Sequence, residues 1–548
     1  MTTLKEYLSL SEEERLDLLK FLPSSGEVNT VGMVLSRTGL SVTLPENFNV
    51  DIHVANFPPE SYGFESSLKN FDKDKVCHLL GLLSSIPAHN KDLIVEDGYV
   101  PILAEIVNFY ITDYNAYLDY LRATNVIEWD GHGTYSEGHA RRWRWKEPYF
   151  SARVVRVPTP KFEKLLHQRK FETIEQYKRS KARDATSNCP EYLLKWYNPN
   201  KLRIDVTRAN DYAWGLRNYK LSHPEEQDWN RDKNCPKQPQ NQYVALMDNI
   251  YSISYNNDFR IHIDSHVHRL HSVLTNMQKE FRNFLTYDGQ QLVSIDIKNC
   301  QPYLSCILFN PEFWREDSTM DLNLNKLPRS IIASIRFTPP KVNAIPLITS
   351  LSRFFRNIEG HEFDTYKRIV SAGRFYETIM EWIQEEKGIA MEREDVKTIG
   401  FKLFFSPNRT DPEGENHWLM DYFREKFPQV VDLFMIIKRQ YQDFDVEKQH
   451  GRLACLLQSI ESEIILNRCC KRIWEEKDKQ VPVFTIHDSI ATTVEHQEYV
   501  KHVMKEELTR AIGVSPKLKP EVWSEVKLNP KYQDIISYMN GVTPQSNV

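Results

Sequence analysis

With 548 residues, 41% of them hydrophobic and 12% aromatic, the chain is long enough for two or more domains and rich enough for a sizeable core. A formal charge of -5 leaves no global basic signature, so any nucleic-acid contact has to come from local patches. Its eight cysteines are scattered without a CxxC, which argues against a zinc knuckle or a disulfide framework and fits a reducing, cytoplasmic setting.

Residues 1–95 mix short helical patterns with Pro and Gly, carry no repeat, and are read as an N-terminal helical region. Met1 to Leu22 is studded with charge. No apolar run approaches the ~20 residues of a membrane span, so neither secretion nor insertion is expected. Residues 96–160 change character. Ile102 to Tyr110 and Tyr114 to Thr124 carry apolar residues at helical spacing, Asn125 to Trp129 reads as a strand, and Asp130-Gly131-His132-Gly133 reads as a turn. The basic, aromatic run Arg141-Arg142-Trp143-Arg144-Trp145-Lys146 then returns as a second strand. Helix, helix and two-stranded wing are similar to a winged helix-turn-helix, which lays a helix in a major groove and a hairpin on the backbone. A structural helix pair with a hairpin fits the same pattern. Residues 161–255 hold many charges, among them Lys178-Arg179-Ser180-Lys181-Ala182-Arg183, and are read as a thumb-like or linker region.

From residue 256 to 548 dense apolar periodicity alternates between strand and helix, an α+β pattern. Two β-branched, apolar runs end in a carboxylate: Val293-Ser294-Ile295-Asp296-Ile297 and Val483-Phe484-Thr485-Ile486-His487-Asp488. Two aspartates at buried strand ends can converge on divalent metal, as two-metal phosphoryl-transfer sites require. A lone Asp at a strand end is more often a turn or cap residue. In Arg393-Glu394-Asp395-Val396-Lys397-Thr398-Ile399-Gly400-Phe401-Lys402-Leu403-Phe404-Phe405, the residues Arg393, Lys397, Phe401 and Phe405 recur every four positions and share a helical ridge. Cations there can hold a triphosphate and rings can stack on a base. By itself the spacing more often marks the edge of a core face.

Taken in order, the three segments resemble motif A, the fingers helix R-xxx-K-xxx-[F/Y]-xxx-Y and the His-Asp motif C of the family A right-hand polymerases, which include bacterial DNA polymerase I and the single-subunit phage and mitochondrial RNA polymerases. His268-Arg269-Leu270-His271-Ser272, Leu274-Thr275-Asn276-Met277-Gln278 and Phe281-Arg282-Asn283-Phe284 look like the family's series before motif A. Leu457-Gln458-Ser459-Ile460-Glu461-Ser462-Glu463 looks like the helix that places a Gln in the primer minor groove. Lys519-Pro520-Glu521-Val522-Trp523 looks like the final strand, and Phe363-Asp364-Thr365-Tyr366 like the phage-type D-x-Y within a fingers insertion.

The resemblance implies a right-hand polymerase with an antiparallel palm sheet and helical fingers and thumb, over residues 256–548. Its implied activity is template-directed nucleotidyl transfer, as a DNA-directed DNA polymerase acting on a DNA primer and template with nucleoside triphosphates. Two alternatives stay open: a single-subunit RNA polymerase or primase, and an inactive palm serving as a DNA-binding replication or defence factor. The setting implied is a bacterial or phage-infected cell. Asp296 and Asp488, with the carbonyl of Ile297, would hold two Mg2+ ions, with Mn2+ as a substitute. Lys397 would meet the leaving pyrophosphate, Arg393 a phosphate, Phe401 the incoming base and Phe405 the template side. Arg269, Gln458, His487 and Arg282 would face primer and template.

Three positions depart from the pattern. Gln301 stands five residues after Asp296, where DNA-synthesising members carry Glu and RNA-synthesising members Gly, so it is expected to act as the gate against a ribose. Phe405 replaces the usual Tyr, whose hydroxyl would hold that gate, and modest sugar discrimination is expected. Motif C continues to Ser489, as in the RNA-synthesising branch. No acidic constellation of the exonuclease kind is legible before residue 250, so proofreading is not expected.

Overall fold

The computed structural model describes residues 41–89, 98–102, 107–108, 111–131, 141–159, 189–230, 235–254, 259, 261–264, 267–336, 347–358, 361–405, 417–438, 451–529 and 532–539. The basic run Lys178 to Arg183, most of the expected helix between Ile102 and Tyr110, and the side chain of Phe401 lie outside them.

The N-terminal elements are β1 (Ser41–Pro45), α1 (Lys73–His89), β2 (Val100–Ile102), α2 (Tyr114–Ala123), β3 (Ile127–Trp129), β4 (Arg141–Trp145) and β5 (Val154–Pro158). They surround a core of their own in which α1 contributes Val76, Leu79 and Leu80, α2 contributes Tyr117, Leu118 and Leu121, and β4 contributes Trp143. On α2 the buried residues recur at helical spacing. Asn125, with φ 60, takes the left-handed conformation that ends the helix and turns the chain into β3. Ile102, where the periodicity predicts a helix, instead closes a strand. Val100 and Ile102 face the core on either side of Pro101, and β2 pairs with β4, Val100 opposite Trp143. The antiparallel order is β2-β4-β3. Alternation along β4 buries Trp143 and Trp145 and turns the arginines outward. Those cations are engaged within the hairpin: Arg142 pairs with Asp130, Arg144 with Glu128, and Arg141 lies over the Trp129 ring at 5.4 Å.

The second, larger core belongs to a six-stranded antiparallel sheet and the helices on it. Its first elements are β6 (Leu202–Ile204), α3 (Val206–Ser222), α4 (Pro239–Ser254), β7 (Leu285–Tyr287), β8 (Gln290–Ile297) and α5 (Cys300–Ser305). There follow α6 (His361–Ser371), α7 (Phe375–Lys387), α8 (Arg393–Phe405), α9 (Pro428–Lys438), α10 (Gly451–Ser462), β9 (Phe484–Ile486), β10 (Ser489–Thr493), α11 (Gln497–Ile512) and β11 (Leu518–Val522). The strand order is β9-β10-β8-β7-β6, with β11 also pairing with β8. β8 is therefore central, and its Leu292, Val293, Ile295 and Ile297 are all buried, on both faces of the strand. β6 puts part of the expected thumb-like or linker region into this same sheet.

Two packing details fix α8. A Cβ on Gly400 would meet Cε1 of Tyr376 at 2.9 Å, so only glycine lets α8 lie this close to α7. At its other end the buried Lys438 of α9 donates to the Leu403 carbonyl, capping the helix, and burial lowers the lysine to about 8.

The ribbon of β1 and β5 is anchored to α4 by a buried polar triad. Thr43 donates to Asp248 at 2.8 Å, and Arg156 donates to both Thr43 at 2.7 Å and Asp248 at 3.2 Å. Asp248→Ala removes a buried carboxylate from the Arg156 guanidinium, and should cost about 3 kcal/mol of stability. Chemical denaturation followed by tryptophan fluorescence checks this, and an unchanged midpoint would contradict it.

Candidate active site

The local backbone brings the two strand-end aspartates together. Asp296 is the penultimate residue of β8 and lies opposite Ser489 of β10 on one side and Lys519 of β11 on the other. β9 and β10 are joined by His487 and Asp488 alone, with Ile486 opposite Ser489. His487 adopts φ 54, the left-handed backbone of a tight hairpin turn. Asp488 thus immediately precedes the residue facing Asp296. Its carboxyl is pushed up to about 7, first by loss of surrounding water and then by the charges of Glu461 and Asp296. A backbone N–H and the Cys300 thiol only partly offset this. Ser294 donates to Asp296 at 3.0 Å.

Beyond Asp296 the chain reverses. Asn299, with φ 54, turns β8 into α5 and leads Cys300 and Gln301 toward Glu461 of α10. Glu461 is 1% exposed. Arg269 grips it from two nitrogens, Nε to Oε1 at 2.8 Å and Nη2 to Oε2 at 2.6 Å, and Gln301 Nε2 donates to Oε2 at 3.0 Å. The Asn299 side-chain amide and Gln301 Oε1 are buried with no hydrogen-bond partner among the described residues.

Other candidate residues are also committed locally. Arg282 donates to the carbonyls of Leu274 at 3.2 Å and Met277 at 3.1 Å, tying down the loop before β7. His487 sits at the turn tip, held below its ordinary value by loss of water and by Arg269, His271 and Arg282. Gln458 is half-buried on α10, one turn before Glu461. Ile297 closes β8 opposite Leu518.

The ridge of α8 starts close to this cluster. Arg393 stacks over the Tyr376 ring at 5.4 Å and donates to Glu377 at 2.8 Å. Glu377 feels the charge of Lys298, so α7 connects the start of α8 with the chain just after Asp296. Lys397 is half-exposed and 3.2 Å from Glu394. Phe405 packs at the edge of the core beside Phe404.

Among the described residues no group of three or more His, Cys, Asp or Glu side chains is gathered so as to hold a metal ion. The donor set is two carboxylates and nearby backbone carbonyls. It suits a hard divalent cation, because positive charge would offset the neighbouring carboxylates that, together with loss of water, raise Asp488. Sequence reading singled out Gln458 on α10 but overlooked Glu461. The available signal was an acid flanked by Leu456, Leu457 and Ile460, which no helix buries without a partner.

No family model and no curated protein matches the chain. Among solved structures it is similar to the POL domain of Pol1 from M. smegmatis, in complex with DNA primer-template and dNTP. The identity is 11% and the TM-score 0.31, over 68% of this chain and 77% of that chain. At those values the likeness assigns neither fold nor membership of family A. No helix among the described residues is long and apolar enough to cross a membrane.

The raised Asp488 has a pH consequence. Between an ordinary carboxylate value near 4 and about 7, the folded chain binds the extra proton, so stability falls as pH rises through that window. Asp488→Asn should flatten this part of the profile and melt higher than wild type at pH 7.5 in chelator. Parallel melting curves for the two proteins from pH 5 to 7.5 would contradict the assignment.

Proposed function

We propose that the chain is a template-directed nucleotidyltransferase, specifically a DNA-directed DNA polymerase that extends a primer with deoxynucleoside triphosphates. The observation that carries this reading is the placement of Asp488 beside Ser489, the residue opposite Asp296 in the central sheet, with the Asp488 carboxyl raised to about 7 first by loss of water and then by the charges of Glu461 and Asp296. Such a pair is built for divalent cations, and two Mg2+ ions bound there would activate the primer 3'-hydroxyl and neutralise the triphosphate. Asp296, Asp488 and the Ile297 carbonyl are their proposed holders.

In this reading the sheet is the palm and α8 the fingers helix. Lys397 stabilises charge developing on the pyrophosphate, and Arg393, steadied by Glu377 and Tyr376, clamps a phosphate. Arg269 reaches the primer minor groove only by giving up part of its hold on Glu461. Arg282 acts through the loop whose carbonyls it binds. The β2-β4-β3 order, with α2 entering the hairpin, supports a winged-helix module, although phosphates would have to compete with Asp130 and Glu128 for its arginines.

Primer extension on a DNA template with dNTPs or NTPs, primed and unprimed, tests the reading and separates it from an RNA polymerase or primase. Asp296→Ala and Asp488→Ala should abolish addition while the protein remains folded by circular dichroism. Wild-type turnover by either variant would contradict the assignment. Lys397→Ala should raise the barrier of the chemical step by ~2 to 4 kcal/mol with template affinity little changed. An unchanged single-turnover rate would remove Lys397 from the site.

A further inference from the structure

Gln301 was expected to be an unsupported gate, because Phe405 has no hydroxyl to hold it. The structure supplies a different support. Its amide nitrogen donates at 3.0 Å to Glu461 Oε2, the oxygen that also accepts from Arg269 Nη2 at 2.6 Å. Glu461 is 1% exposed and gripped from two sides by the planar Arg269 fork, so it offers a fixed point and not a mobile surface acid. With its nitrogen spent on a carboxylate, the Gln301 amide cannot flip, and its Oε1 is buried with no partner among the described residues.

Bulk excludes a ribose only if it cannot rotate away. A free glutamine has three side-chain torsions and can yield to a 2'-hydroxyl, whereas one tied at its tip to a buried carboxylate cannot do so without leaving that carboxylate short of a donor. We propose that Glu461 is a positioning residue for sugar choice: by holding Gln301 it turns that side chain into a rigid barrier to ribonucleotides. This rests on the nucleotidyltransferase reading above. Because Arg269 shares the same carboxylate, the barrier is also linked to a residue proposed to face the primer minor groove.

The test is single-nucleotide addition to a primed DNA template, read as the ratio of kcat/KM for dNTP over the matching NTP. Wild type should favour the deoxynucleotide by ~10²-fold or more. Glu461→Ala should lower the ratio at least ~10-fold by admitting NTP, whereas Glu461→Gln, whose Oε1 still accepts from Gln301, should keep most of it. Gln301→Met keeps the bulk and the Arg269–Glu461 pair but removes the tether, so its ratio should fall as for Glu461→Ala. It carries the test if the alanine variant fails to fold. A merely structural role for Glu461 would reduce both nucleotides in parallel, so an unchanged ratio in Gln301→Met overturns the proposal, as does a wild type that prefers NTP. A wild type that adds neither nucleotide overturns it together with the reading beneath it.

Discussion

Like charge brought together on neighbouring strands is the constraint around which the rest of the molecule is arranged. Asp296 and Asp488 are delivered by backbone register, one at the end of β8 and one in the two-residue turn between β9 and β10. Neither can withdraw without breaking the ladder that buries Ile295, Ile297 and Ile490. The cost appears in Asp488, whose carboxyl is held near 7. Loss of water is the first cause of that shift, and the charges of Glu461 and Asp296 add to it.

The surroundings distribute that charge. Glu461 adds a third carboxylate but is matched by Arg269, so it acts on Asp488 at short range without being an open cation ligand. Cys300 and Gln301 follow from the left-handed turn at Asn299, which aims the start of α5 at Glu461. On the other side, Tyr376 and Glu377 place Arg393 at the N-terminal end of α8, and Gly400 and Lys438 fix the helix along its length. Position here is set by close packing and buried hydrogen bonds, which hold geometry better than surface pairs do.

Much of this was legible in the sequence where local chemistry decides structure. The apolar runs ending in Asp296 and Asp488 form strands, the spacing from Arg393 to Phe405 gives one helix, and Leu518–Val522 forms a strand ending beside a buried Trp523. Two things escaped it. The strand Val100–Ile102 was hidden by apolar spacing that also suits a helix, and pairing with Trp143 decided the matter. Glu461 was overlooked because its partners, Arg269 and Gln301, lie far away in sequence, and a buried acid is explained only by the groups that fold against it. The resemblance to polymerases rested on short motifs.

The central claim, that Asp296 and Asp488 together hold divalent cations, is tested most directly by Mn2+ titration followed by electron paramagnetic resonance. The protein should carry a primer-template whose primer ends in a 3'-deoxynucleotide, with Asp296→Asn and Asp488→Asn measured alongside. The account predicts saturable Mn2+ binding to wild type that Mg2+ displaces and that either substitution removes. Equal Mn2+ binding by wild type and both variants, or no binding by wild type, would contradict it.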